Sequence, residues 1–320
     1  MTFSPDSLPQ LEGHVFIVTG GNSGIGYHTV SHLAKHGAHV YMCARSPEKG
    51  AAAIQEIKNL NAAANVDLLQ MDHTDLASVA AAAKRFLSLE TALHGLVNNA
   101  GIMATPFGIT KDGHEAQWQT NYLAHWVLTS HLLPLMRHTA KAHSPGSVRI
   151  VNLTSSGHLS APKTGINFSD LSLKESGPWP RYGQSKLANI LHAKTLHKMY
   201  GPGSQSSRNG EGEIWVSSVH PGIVQTNLDT SVRESGSILT PILSAIGIFG
   251  LIWSADRGSW NSLFCAASRD MKAEQSGAYL EIYHRFGEPR WQSGAAKDEN
   301  LAKNLEEWTT EEMRREGWVQ

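Results

Sequence analysis

The chain has 320 residues, 41% of them hydrophobic, with 29 glycines. That composition fits an ordinary globular protein and excludes a collagen-like fibre, a coiled coil or a disordered tail. Its 27 lysines and arginines against 28 acids leave a formal charge of −1, without the cationic surplus that displaces counterions from phosphates, so no nucleic-acid partner is expected. The two cysteines, Cys43 and Cys265, lie in apolar runs and read as reduced, buried thiols rather than a disulfide framework. Residues 1–12 have no apolar core, and no stretch reaches the roughly 18 apolar residues of a spanning helix, so a soluble, cytoplasmic protein is expected.

Short apolar runs alternate with helical stretches along the chain. Residues 14–19 read as a strand that runs into glycines, 25–36 as a helix closed by Gly37, and 38–43 as a second strand. Ser46-Pro47-Glu48 opens a second helix, with serine at the N-cap and proline in the first turn. Strands are expected at 66–70, 93–97, 147–153, 214–219 and 277–283. Helices are expected at 75–89, 113–138 with a bend at Pro134, 182–200, 256–268 and 299–316. Residues 201–212 read as a solvated loop, 162–179 as a loop near the substrate, and 229–253 as a long connection. Repeated βα units imply an α/β fold, a doubly wound parallel sheet with helices on both faces, in which ligands bind beyond the carboxyl ends of the strands. One domain is expected over 1–320, with a core at 11–283, a substrate lid at 229–255 and a C-terminal extension at 284–320.

Thr19-Gly20-Gly21-Asn22-Ser23-Gly24-Ile25-Gly26 follows the first strand and opens a helix. Glycines there let the backbone approach a pyrophosphate, and the helix start offers free N–H groups. The second strand ends in Ala44-Arg45-Ser46. No acid stands there to bind the ribose 2′-hydroxyl of NAD, whereas Arg45 can pair with a 2′-phosphate and Ser46 can add a hydrogen bond. The expected cofactor is therefore NADP(H); the rival is that Arg45 is only a solvated charge beside the Ser46 cap.

Tyr182 and Lys186 stand four apart on an expected helix and so share a face. A neighbouring ammonium favours the phenolate, which would bring the tyrosine within reach of acid–base work. Ser155, at a strand end, can bond a substrate oxygen as charge develops, with Ser156 as its rival. His28, His32 and His36 are spaced for one helix face, but no carboxylate or cysteine accompanies them in the pattern, so no metal is expected. Trp118 and Trp126 read as core.

These motifs, in this order, resemble the short-chain dehydrogenase/reductase family over roughly residues 11–283. They are Thr19–Gly26, Asp72, Asn98-Asn99-Ala100-Gly101, Asn121, Ser155, Tyr182-Gly183-Gln184-Ser185-Lys186 and His220-Pro221-Gly222. Arg45, the 151–158 stretch and Ser185-Lys186-Leu187-Ala188-Asn189 are similar to the retinol-dehydrogenase-like, NADP-using branch, whose fungal members often act in secondary metabolism. The resemblance implies a Rossmann fold and a catalytic set of Asn121, Ser155, Tyr182 and Lys186. In that set Tyr182 is the acid/base, Lys186 binds the nicotinamide ribose, and Asn121 either holds a water or bonds backbone. It further implies cofactor contacts from Gly20, Asn22, Ser23, Gly24, Ile25, Gly26, Arg45, Ser46, Asp72, Asn98, Ala100, Gly101, Pro221, Gly222, Val224 and Thr226, and pairing of chains through the long helices.

The expected function is hydride transfer between a nicotinamide and a carbonyl or alcohol carbon of a bulky lipophilic substrate. The alternatives are an isomerase, cyclase or dehydratase without net redox, and a non-catalytic NADP-binding scaffold. The most apolar stretch, 238–253, carries three readings: buried helices, a lid over a lipophilic substrate, or a patch resting on a membrane.

Overall fold

A computed structural model describes residues 3–224, 253–281 and 286–320. Seven parallel strands form one sheet in the order β3-β2-β1-β4-β5-β6-β7. They are β1 (Val15–Val18), β2 (His39–Ala44), β3 (Asn65–Gln70), β4 (Gly95–Asn98), β5 (Val148–Leu153), β6 (Ile214–His220) and β7 (Tyr279–Glu281). Every residue of β1, β4 and β5 is buried, as central strands of a sheet covered on both faces must be. Side-chain alternation then splits β1 between two cores. Val15 and Ile17 pack with α3 (Leu76–Leu89), α5 (Ala124–Ala142) and α6 (Pro178–Tyr200). Phe16 and Val18 pack with α1 (Gly24–Lys35), α2 (Pro47–Leu60) and the helix Ala255–Ala267. The strand order reverses between β1 and β4, and the crevice at that switch point is where such sheets take ligands.

Most expected elements are present within one to four residues of their anticipated ends. The long helix is the exception. It starts at α4 (Ala116–Trp118), passes through a π turn at Gln119–Leu123 and continues as α5. Gly113 has φ +89° and cannot sit in a helix, and Glu115 accepts the Trp118 N–H at 2.8 Å as the cap. Residues 201–212 are not a free loop. They hold a helical turn at Gln205–Arg208, bury Ser204 and Ser206, and join Glu211 to Arg137 at 2.6 Å. The C-terminal helix Glu299–Arg315 lies on α5 and α6, where Thr309 meets the Tyr122 hydroxyl at 2.7 Å and Glu306 accepts the Trp126 indole N–H at 3.1 Å. Trp118 and Trp126 are core, and both cysteines are free and buried. Thr226 and nearly all of residues 229–255, the segment expected to be a lid, lie outside the described residues. Among the described residues no helix is long and apolar enough to cross a membrane.

Candidate active site

The turn after β1 is built on glycine. Gly20 and Gly24 have φ of +61° and +54°, and a Cβ on Gly26 would stand 2.3 Å from the Gly20 carbonyl oxygen and 2.6 Å from the Asn99 Nδ2. Ser23, the N-cap of α1, makes no capping bond with its side chain, which leaves the first N–H groups of the helix to an anion. Beside this turn lies a cleft of about 430 Å³. Gly20, Asn22, Ser23, Gly24 and Ile25 form one wall of it, and Arg45 and Ser46 stand at the end of β2. Asp72, Ala100 and Gly101 continue the lining towards Tyr182, Lys186 and Pro221. The glycine cradle, the open helix start and the cationic edge fit a dinucleotide.

Several expected contacts are placed differently. Asn98 is 1% exposed and points into the sheet, donating to Thr129 Oγ1 at 3.2 Å and Asn152 Oδ1 at 2.9 Å. Asn99 lines the cleft instead, with its Nδ2 on the Thr19 carbonyl at 2.7 Å. Alternation along β4 sends successive side chains to opposite sides, which a two-asparagine motif does not reveal. Gly26 and Gly222 lie outside the lining, and Val224 is the neighbour that a Cβ on Gly258 would strike at 2.7 Å. Ser46 caps α2 through the Lys49 N–H at 3.2 Å and donates to Glu48 at 2.7 Å. Sequence reasoning passed over Lys49, which lines the cleft one helical turn beyond Arg45. Neither cation forms an ion pair among the described residues. Asp72 bonds Thr74 through both the N–H and the hydroxyl.

At the other end of the cleft, Ser155 caps the 3₁₀ turn Ser156–Ser160, its Oγ accepting the Gly157 N–H at 3.0 Å. Ser155 Oγ and the Tyr182 ring both stand beside Gly157, where a Cβ would lie 3.2 Å from the one and 2.6 Å from the other, while Ser156 is exposed. A Cβ on Gly157 would meet the Tyr182 ring at 2.6 Å, so this close packing requires glycine. Burial pushes the Tyr182 phenol up to about 12, and the nearby Ser155 hydroxyl only partly offsets it. The sequence expectation was a lowered phenol. The Lys186 ammonium stands 5.8 Å from the ring centroid and donates to the Leu153 carbonyl at 3.1 Å. Burial pushes that ammonium itself down to about 8, and desolvation dominates both groups.

Asn121 sits in the π turn. Its carboxamide brackets Ile102, accepting the N–H at 2.8 Å and donating to the carbonyl at 3.0 Å, and it also donates to Ser185 Oγ at 2.9 Å. The carboxamide therefore bonds backbone at Ile102. Just before Tyr182, Arg181 pairs with Glu115 at 3.3 Å, both nearly inaccessible, and donates to the Thr105 carbonyl at 3.1 Å. On the far side of α1, the helix Ala255–Ala267 supplies the carboxylate the histidine pattern lacked. Asp256 stands 2.6 Å from His32 and 3.6 Å from His28. Among the described residues, no three potential ligands are grouped to hold a metal.

A parallel sheet with a nucleotide cleft at its switch point, and a buried Tyr–Lys pair at one end of that cleft, defines a dinucleotide-binding α/β protein. The chain belongs to the short-chain dehydrogenase/reductase family of oxidoreductases, whose members use NAD(P): the short chain dehydrogenase profile matches residues 14–236. It is 51% identical over 315 residues to the short-chain dehydrogenase/reductase drtF of Aspergillus calidoustus, covering 97% of each chain. It is 34% identical over 297 residues to retinol dehydrogenase 12 of Mus musculus, covering 92% of this chain and 85% of that one. A solved structure of a putative uncharacterized protein from Mycobacterium paratuberculosis superposes with a TM-score of 0.71 at 30% identity, covering 97% of this chain and 98% of that one.

Proposed function

We propose that the chain is an NADP(H)-dependent carbonyl reductase or alcohol dehydrogenase for a bulky, largely apolar substrate, working in the cytoplasm within secondary metabolism. The observation that carries the chemistry is the buried Tyr182, with Ser155 and Lys186 beside it at the end of a cleft that fits a dinucleotide. Bound NADP(H) would supply or accept the hydride. In reduction Tyr182 gives its proton to the substrate oxygen, and in oxidation it takes one back. Ser155 holds the same oxygen as charge gathers on it. A phenol kept protonated across neutral pH is already in the state reduction requires. Glycine-turn N–H groups and Lys186 would bind the cofactor, and Gly101 leaves room beside Asn121 and Lys186, since a Cβ there would meet them at 3.0 and 3.4 Å.

NADP(H) over NAD(H) is supported by Arg45 and Lys49 at the cleft edge, both exposed and without carboxylate partners among the described residues. An apolar substrate is supported by Trp179, whose ring stands edge-on to Tyr182 at 6.1 Å, and by Leu159 in the turn that Ser155 caps, which is 48% exposed. A carbonyl panel assayed with NADPH and NADH, with Arg45→Asp alongside wild type, tests the reading. The NADPH/NADH ratio of kcat/KM should collapse in Arg45→Asp. An unchanged ratio, or turnover of small charged carbonyls only, would sink the respective half of the proposal.

A further inference from the structure

His125 is a fully buried imidazole on α5, 2% exposed and without a carboxylate partner among the described residues, and the chemistry above does not use it. Both ring nitrogens are nonetheless engaged. Nδ1 lies 3.0 Å from the Asn121 carbonyl oxygen, and Nε2 lies 2.8 Å from Thr19 Oγ1. Burial holds the ring neutral, well below the ordinary histidine range, with nearby His73 pushing the same way. A neutral imidazole carries one proton. A carbonyl can only accept, so that proton must be on Nδ1, and Nε2 must accept from the Thr19 hydroxyl. The alternative Thr19 donation, to the Val97 carbonyl, is longer at 3.4 Å. With its hydrogen spent on His125, Thr19 Oγ1 has lone pairs for the Asn99 and Ala100 N–H groups, each at 2.8 Å. Every donor and acceptor in the chain is then used in one direction: Asn99 and Ala100 N–H to Thr19, Thr19 to His125, His125 to Asn121.

We infer that His125 is a positioning residue that ties the cofactor cleft to the catalytic end through this single hydrogen-bond chain. One end fixes the Asn99–Ala100 turn, which lines the cleft, to Thr19, the residue before Gly20 in its wall. The other fixes the main chain of Asn121 inside the π turn, where the helix departs from its regular bonding. Asn121 in turn holds Ile102 and Ser185 and stands beside Lys186 across Gly101. Order imposed by a dinucleotide on the Asn99–Ala100 turn therefore reaches the Asn121–Lys186 wall without passing through the sheet. The inference rests on the dehydrogenase reading for its effect on turnover, but not for its effect on cofactor binding.

The test compares wild type with Thr19→Val, His125→Phe, His125→Asn and the Thr19→Val/His125→Phe pair. Folded fraction is followed by circular dichroism, NADPH affinity by fluorescence, turnover with a carbonyl the wild type reduces, and the His125 tautomer by ¹⁵N resonance. Thr19→Val and His125→Phe should each weaken NADPH binding about tenfold, as expected when one buried hydrogen-bonding group is stranded. The pair should be no worse than the poorer single variant, because both cut one chain. His125→Asn keeps a donor for the Asn121 carbonyl and should retain more kcat than His125→Phe while losing affinity equally. The ¹⁵N spectrum of wild type should place the proton on Nδ1. A folded His125→Phe that lost only melting temperature would overturn the inference, as would additive losses in the pair or a proton on Nε2. If His125→Phe does not fold, the tautomer and Thr19→Val decide. Wild type that bound NADPH yet reduced no carbonyl would refute the dehydrogenase reading and leave the binding comparison intact.

Discussion

Arg181 and Lys186 lie five residues apart on α6, both buried, at 4% and 5% exposure. Arg181 meets the Glu115 carboxylate and the Thr105 carbonyl, so its charge is matched by an acid 66 positions earlier in the chain. Lys186 has the Leu153 carbonyl and the face of a tyrosine ring, and its ammonium is pushed down to about 8. A buried cation with a carboxylate is a clamp, because losing either partner strands a charge. A buried cation without one is held close to neutrality in its proton affinity, at a cost to stability, and such groups cluster at sites of chemistry. The clamp joins the start of α4 to the residue before Tyr182, so the paired cation holds in place the helix that carries the other one.

The largest effect expected is on turnover. Tyr182→Phe keeps the ring and removes the proton donor, and kcat should fall by about 10²–10⁴ or more with folding preserved. Near-normal kcat would mean another acid serves the site. Next is the clamp. Glu115→Ala should cost about 3–5 kcal/mol by stranding Arg181, read as a drop in denaturation midpoint. Glu115→Leu/Arg181→Met should recover most of that loss, and a double variant as unstable as Glu115→Ala would show that the pair is more than a matched charge. Lys186→Met should go the opposite way in stability, gaining about 1–3 kcal/mol while turnover is lost, since one pKa unit corresponds to about 1.4 kcal/mol.

The contrast also has a pH signature. Lys186 binds its proton less tightly folded than unfolded. Its cost to stability is therefore fully present below about pH 8 and is relieved as pH rises towards the unfolded value. Wild type should thus gain stability relative to Lys186→Met across that window. Reductive kcat/KM should stay flat through neutral pH and fall as Lys186 deprotonates near 8, well before Tyr182 titrates near 12. A profile falling below neutrality would point to a different group. The smallest effect concerns the half-exposed Arg137–Glu211 pair. Glu211→Gln should shift stability by less than about 1 kcal/mol, and a larger loss would make the 201–212 segment a true part of the core.

What the sequence determined by itself is local. Strand and helix positions follow from apolar periodicity, and the glycine turn from backbone that only glycine allows. Tyr182 and Lys186 share a face because residues four apart on a helix do. Caps such as Ser46 before Pro47 were equally legible, being satisfied within one turn. The tertiary structure decided everything that depends on which distant groups the parallel register brings together. It placed Ser155 rather than Ser156 beside Tyr182, sent Asn99 rather than Asn98 to the cleft, paired Glu115 with Arg181, and carried Asp256 to His28 and His32. It also raised the Tyr182 phenol where proximity of a lysine in sequence argued for lowering it. Spacing reports that two groups are neighbours, but how much water each has lost is set by the whole packed interior, and for these two groups desolvation outweighs their proximity.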